Sequence, residues 1–580
     1  MRRPVRWLAP ILVLSFALNA WGANWGLPER WHPDELTQRA ENMVGEPSLN
    51  PHYFAYGGLH YYVIAALAVL PVKIPNKLFH LMDYDMQTTL VVLASRLLSA
   101  VLGMGLVGLT YRIGERLFDA RTGLFAAALL ATSMVLVNLS HFATADVPSL
   151  FWFTLACVFA TDILLSGRPR SYLLAGLCSG LAAAVKYVGG LSMVPLVAAH
   201  LLAGSPRHRL LGAALCMSAV GFGVGNPVLL FAPLEFIQGF AAESAFNSAR
   251  GLGLPRSFLP LVSQLKDAMG LPVLLLSFAG LVYALRLLAS DQHRASVVLV
   301  LSMVVPYYLV AGAMRGPRAG PLLLPQPPLR YALPIVPFLL LFAGKMLSDL
   351  IVARHRVIRR VGLALFAVAS CYSTVYAGLV DLKFTHDSRY AAREWILGNV
   401  MPGSTIEITS YGPTVSREEY RVIERPHDNQ VAEVAASLMD SERHRPFWSM
   451  VHDLEAWLDR VGLRSQSGDY VPWYRRALQR YEADTVTFDA SIQGLESRAP
   501  DVLVVSDLYS VRFWERSSIE ATFFADLSAG RTSYSRVGEF HYHVPRWINP
   551  PAEFVNPTIA IYSRSHKASR LIEPARRATL

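Results

Sequence analysis

The sequence predicts a polytopic α-helical membrane protein with a C-terminal α/β domain. Three observations carry this. Of 580 residues, 53% are apolar and 17% charged, with a mean hydropathy of +0.33, whereas a soluble domain carries about 25% charged residues. Long apolar runs recur up to about residue 380 and then stop. Beyond them, short strand-like and helix-like segments alternate. The composition excludes a disordered chain, a coiled coil and an ordinary soluble enzyme.

Eleven runs are suited to spans, at about 7–22, 91–111, 122–139, 147–166, 172–186, 188–203, 210–230, 271–289, 295–313, 330–350 and 361–380. The first follows Met1-Arg-Arg-Pro-Val-Arg6 and reads as a signal anchor that stays with the chain. A further run, Leu59–Val72, holds only 14 residues. That length suits a segment lying against the outer face rather than a crossing. Charge placement supports the count. With the N-terminus in the cytoplasm, each cytoplasmic turn is basic: Arg112/Arg116/Arg121, Arg168/Arg170, Arg207/Arg209, Arg286/Arg294 and Arg354/Arg356/Arg359/Arg360. A crossing at Leu59–Val72 would reverse every later loop. The expected domains are therefore 1–380, a membrane domain with a first outer loop at about 23–90, and 381–580, outside the cytoplasm. The cell or inner membrane is the expected location.

The net charge of +10 and pI near 9.4 belong to those loops, and no nucleic-acid partner is expected. Cys157, Cys178, Cys216 and Cys371 each fall in an apolar run; packing roles are expected, with neither a disulfide nor a metal site. In the tail, His386–Asn399 reads as an amphipathic helix with Tyr390, Trp395 and Ile396 on one side. Thr405–Thr409, Asp501–Ser506 and Thr558–Tyr562 read as strands, with helices around 428–440 and 450–461.

Four polar features lie in or beside the outer loops. Trp31-His-Pro-Asp-Glu35 sets two adjacent carboxylates near a membrane surface, where desolvation is costly unless they are paired or used. Adjacent side chains face different ways on a helix, so Asp34 and Glu35 have different jobs, or else they form a simple helix start after Pro33. Asp146, five residues after His141, opens a span beside Pro148; a plain helix start explains it equally. Lys186-Tyr187 lies at an outer hairpin, where the alternative is a lysine snorkelling to the interface. Arg330-Tyr331 places a cation on the outer side, against the positive-inside pattern. A phosphate group would explain it, and so would a loop carboxylate. Carboxylates and cations converging on one face suit an amphipathic substrate with a phosphate head group: one carboxylate takes a proton from an acceptor hydroxyl and the cations stabilise a phosphate leaving group.

Several stretches, in order, resemble one family. They are His32-Pro-Asp-Glu35, Asn50–Leu59 with Tyr61-Tyr62, Ala94–Ser99, Gly114–Phe118 with Thr122–Leu124, Leu139–Pro148, Gly176–Tyr187 and Arg330–Pro337. Over about 1–380 the chain is similar to the C-type integral-membrane glycosyltransferases that use polyprenyl-phosphate sugars, within the protein O-mannosyltransferase and aminoarabinose-transferase-like branch. The resemblance implies the C-type glycosyltransferase fold and transfer of a sugar to an extracytoplasmic lipid, glycan or protein with inversion. It makes Asp34 the general base and Glu35 its supporting carboxylate. It makes Asp146 a residue that shapes the site, and His141, Tyr187 and Tyr331 are expected with it among the substrate-binding residues. Lys186 and Arg330 would take the donor phosphate, and His52 and Tyr56 would line the donor side. No cofactor is certain; two carboxylates can hold Mg²⁺ or Mn²⁺, but no ligand spacing demands it. The Trp-Trp-Asp motif of oligosaccharyltransferases is absent, which argues against N-glycan transfer. No β-trefoil pattern is readable, which argues against eukaryotic-type protein mannosylation. His386–Arg389 and Trp395, before Pro402-Gly-Ser404, resemble the start of the extracytoplasmic tail of some bacterial members. The alternatives are a polytopic lipid or solute transporter, which predicts inverted repeats, and a non-catalytic envelope-assembly protein.

Overall fold

The protein is described from a computed structural model, over residues 5–204, 207–233, 235–237, 239–240, 258–313, 318–319, 324–325, 328–425, 489–510 and 519–564. The described residues divide into two compact units, one running to Asp381 with Ile548–Pro551 and the other from Leu382 to Trp547 and from Ala552 on.

The first unit is helical. Among the described residues a helix stands at each of the eleven expected runs. Among the described residues, six helices are long and apolar enough to cross a membrane, or up to eight if each of two bent pairs is one span. The remaining runs give shorter helices. Pro169–Val185, for example, stops at Lys186, whose backbone is extended.

Three features position the site. First, the 14-residue run expected to lie on the outer face is part of a longer helix, Leu59–Phe79, whose 21 residues are long and apolar enough to cross. Pro71 and Pro75 do not end it. A π-helical turn at Ala65–Val69 widens the backbone just before Pro71, where a ring would otherwise crowd the preceding turn. Second, Tyr84–Leu117 forms one 34-residue helix, N-capped by Asp83, which accepts from the Met86 amide. At about 1.5 Å per residue it outruns a bilayer core of about 30 Å, and it carries a single buried arginine, Arg96, on its inner side. Third, Pro169–Val185 packs along His208–Gly225 through small residues. A side chain at Gly176 or Gly180 would collide with the carbonyls of Ala214 or Ser218, so these glycines let the backbones meet. Elsewhere, Gly270 at φ +79° makes the 116° bend between Pro260–Met269 and Leu271–Leu287, with the Tyr372 ring filling the space a side chain would need. Cys157 and Cys178 are buried on helices as expected, whereas Cys216 and Cys371 face outward, and all four are free.

A two-stranded ribbon joins β1 (Arg318–Ala319) and β2 (Leu324–Pro325). The second unit holds a five-stranded sheet of β3 (Thr405–Ile408), β4 (Arg421–Glu424), β5 (Val502–Ser506), β6 (Tyr534–Phe540) and β7 (Ile559–Arg564). Its order is β4-β3-β5-β7-β6, with β4, β3 and β5 parallel and β7 antiparallel to both neighbours. Helix Ser388–Asn399 covers one face through Ala392 and Ile396, and Ile519–Ser528 covers the other through Phe523, Phe524 and Leu527. Trp395 packs at the edge of the first cluster. Glu407, fully buried on the inner strand β3, is held by Arg425 at 2.8 Å and Arg498 at 2.9 Å. The three expected strands and the expected amphipathic helix are present within two residues of their predicted ends. The helices expected around 428–440 and 450–461 lie outside the described residues.

Candidate functional site

The first loop, at about 23–90, is pinned at several points. Arg96 donates to the carbonyls of Ala23 and Trp25 at 2.9 and 2.5 Å and grips Glu35 with two bonds of 2.7 and 3.0 Å. Glu35 also accepts from the Ala143 amide at 3.0 Å, and the Leu36 amide donates to the Ala143 carbonyl. One carboxylate thus ties the first loop to the segment that leads into Asp146. Farther along, Gly57 donates to the Val185 carbonyl, and a side chain on it would strike Ala184. The Tyr187 hydroxyl donates to the carbonyls of Phe54 and Tyr56 at 2.9 and 3.3 Å. These bonds press Tyr56 against the turn that presents Lys186.

The result is a small cleft lined by Asp146, Lys186, Arg330, Tyr307 and Phe153 among others. Asp146 is the first residue of helix Asp146–Ser166, at the end where the helix dipole is positive, with Pro148 in the first turn. Lys186 Nζ donates to Asp146 at 2.7 Å and stands 5.8 and 5.7 Å from the rings of Tyr56 and Tyr331. Arg330 Nη1 donates to Asp34 Oδ2 at 2.8 Å. Asp34 is partly open, its side chain 35% exposed, whereas Glu35 is 2% exposed. Burial pushes the Asp34 carboxyl up, but the Arg330 guanidinium and its hydrogen bond outweigh this and hold it below the usual carboxylate range. Glu35 follows the same pattern, with Arg96 in the place of Arg330. The His32 ring packs at a tilt 4.1 Å from that of Phe142, and its Nδ1 accepts from the Asp34 amide at 3.1 Å. Burial pulls its pKa down to about 4, so it is a neutral orienting group at pH 7.

The structure therefore gathers Asp34, Asp146, Lys186, Arg330, Tyr56 and Tyr331, residues that stand up to about 300 positions apart in the chain. Glu35 turns away from the cleft. His141 points elsewhere too: its ring nitrogens lie 2.7 and 2.6 Å from the carbonyls of Val137 and Trp21, so it ties two backbone segments together. Tyr187 acts on the first loop as described, with its ring packed on Phe236 and Phe240. His52 belongs to a separate cluster, between Glu46 at 2.8 Å and Glu235 at 2.6 Å, with Asn50 also on Glu235. Burial lowers its pKa, but the two carboxylates outweigh that and raise it.

The family model described as dolichyl-phosphate-mannose-protein mannosyltransferase matches residues 89–231. That stretch carries Arg96, Asp146 and Lys186. The chain resembles this family of membrane glycosyltransferases. Among solved structures, it is similar to ArnT from Cupriavidus metallidurans bound to undecaprenyl phosphate, at 18% identity over 66% of this chain and 71% of that one, with a TM-score of 0.43. It is similar to the Archaeoglobus fulgidus oligosaccharyltransferase tethered with an acceptor peptide, at 12% identity over 96% and 76%, TM-score 0.48. It is also similar to the S. cerevisiae protein O-mannosyltransferase Pmt1-Pmt2 complex bound to the sugar donor, at 18% identity over 43% and 36%, TM-score 0.30. No curated protein matches.

Among the described residues, no group of three or more His, Cys, Asp or Glu is placed to hold a metal ion. Asp34 and Asp146 are each engaged by a cationic side chain. Two residues of the site escaped the sequence reading. Arg96 carried a signal, a lone charge deep in an apolar run. Tyr307, buried in helix Asp291–Ala313, carried none, because a tyrosine inside a span reads as packing.

Proposed function

We propose that the protein is a membrane glycosyltransferase that moves a sugar from a polyprenyl-phosphate donor to a hydroxyl-bearing acceptor outside the cytoplasm, with inversion. The observation that carries this reading is a four-membered set: a carboxylate, Asp146, and two cations, Arg330 and Lys186, line one cleft, and a second, partly exposed carboxylate, Asp34, joins them through Arg330. The family match over residues 89–231 supports it. In this reading Asp34 takes the proton of the acceptor hydroxyl while that oxygen bonds to the anomeric carbon. The anomeric carbon–oxygen bond breaks, and its electron pair leaves on the lipid phosphate, whose charge Arg330 and Lys186 meet. Tyr56, Tyr307 and Tyr331 supply flat walls for a sugar ring. Glu35 positions Asp34 rather than reacting, since Arg96 and the Ala143 amide occupy its oxygens.

The test is turnover of a panel of labelled polyprenyl-phosphate sugars by the purified protein, wild type beside Asp34→Asn. We expect release from one donor and a loss of about 10²- to 10⁴-fold in the variant, the range a general base contributes. Equal turnover in both proteins would remove Asp34 from the mechanism, and no turnover with any donor would favour the transporter.

A further inference from the structure

In the cleft both cations are already bound. Arg330 holds Asp34 at 2.8 Å and Lys186 holds Asp146 at 2.7 Å. The cationic side chains are each 16% exposed, so both pairs sit where solvent screens them only in part. A phosphate entering this cleft meets no spare positive charge on these two residues. It has to share a cation with a carboxylate or take the cation from it.

Resting on the reading above, we propose that Asp34 and the donor's phosphate compete for Arg330, so that donor binding releases the carboxylate that then accepts the acceptor's proton. The chemistry favours displacement. A guanidinium grips a phosphate best with two parallel N–H bonds; Arg330 Nε is buried, so the face open to a ligand is the Nη1/Nη2 fork, and Nη1 is spent on Asp34. Moving Arg330 onto the phosphate leaves Asp34 beside an anion instead of a cation, which raises its affinity for a proton. The carboxylate is thus a poor base in the empty cleft and a better one once donor is bound. Such an arrangement ties proton removal to the presence of a sugar to transfer. Linkage makes the coupling reciprocal: removing the charge of Asp34 must strengthen phosphate binding through Arg330.

The test reads binding alone. A C55 polyprenyl phosphate without sugar is titrated into the full chain in detergent, for wild type, Asp34→Asn, Arg330→Met and the double variant, each first checked by thermal melting. Arg330→Lys, which keeps the charge and loses the fork, serves if Arg330→Met does not fold. We expect Asp34→Asn to bind about tenfold tighter than wild type, within the usual range of coupling between sites. Arg330→Met should bind more weakly, and Asp34→Asn should bring little gain in its background. Unchanged or weaker binding by Asp34→Asn would mean that Arg330 bridges both groups, and would overturn the competition while leaving the transferase reading intact. The same gain with and without Arg330 would overturn it too, by showing only general charge repulsion. Absence of wild-type binding would overturn the proposal together with the transferase reading.

Discussion

Asp34 and Glu35 are neighbours in the chain and part in space. One faces the cleft under Arg330, and the other is locked by Arg96 and the Ala143 amide. Their adjacency in the sequence predicted separate jobs but not which residue had which. That followed from where the two arginines, 61 positions and nearly 300 positions away, come to rest. His32, beside them, has a consequence for pH. Its imidazole is kept neutral by burial, with a pKa lowered from 6.5 to about 4. Between those values the unfolded chain binds a proton that the folded chain does not, so stability falls as pH drops through that window. Asp34 and Glu35 are held below their usual range. The stability they lend is present above the ordinary carboxylate range and is lost as pH falls through their folded values, the same direction. We expect the melting temperature to fall on going from about pH 7 to about pH 5, and His32→Asn to flatten the upper part of that slope. A melting temperature that rises in the wild type would contradict the burial of His32.

At the scale of elements, the helices were legible because each is a continuous apolar run, and the four expected elements of the tail were legible from periodicity. The edge strands β4 and β6 were not: they expose Arg421, Glu424, Ser535 and Arg536, and polar residues at a sheet edge give no alternation to read. The same scale holds the joint between the first and second loops. Arg96 is 0% exposed and Glu35 2%, so removing one partner leaves a charge buried alone. Arg96→Met should cost about 3–5 kcal/mol, read as a fall in thermal stability. The Arg96→Met/Glu35→Leu double variant should recover most of it. If the two single losses simply add in the double variant, the pair is not the joint described. Gly57 shows why such joints are hard to foresee: it is one glycine among 39, and only the approach of Ala184 makes its missing side chain matter.

At the scale of the molecule, sidedness turns on one helix. Leu59–Phe79 is long enough to cross, yet a crossing would put every basic turn on the wrong side. We expect it to stay on the outer face, and a reporter that is active only outside the cytoplasm, fused to the C-terminus, should be active. An inactive reporter that is cytoplasmic instead would mean that the helix crosses, reversing the assigned faces. The apolar runs settled the membrane class and the helices, because burying twenty-odd apolar residues is a local property of each segment. The ordered polar stretches pointed to the family and to Asp34, Asp146, Lys186 and Arg330. Pairing was a different matter. Which cation meets which carboxylate, and that His141 and Glu35 leave the cleft, depended on contacts between residues about 40 to 300 positions apart. A one-dimensional pattern carries no record of those distances; packing the helices created them.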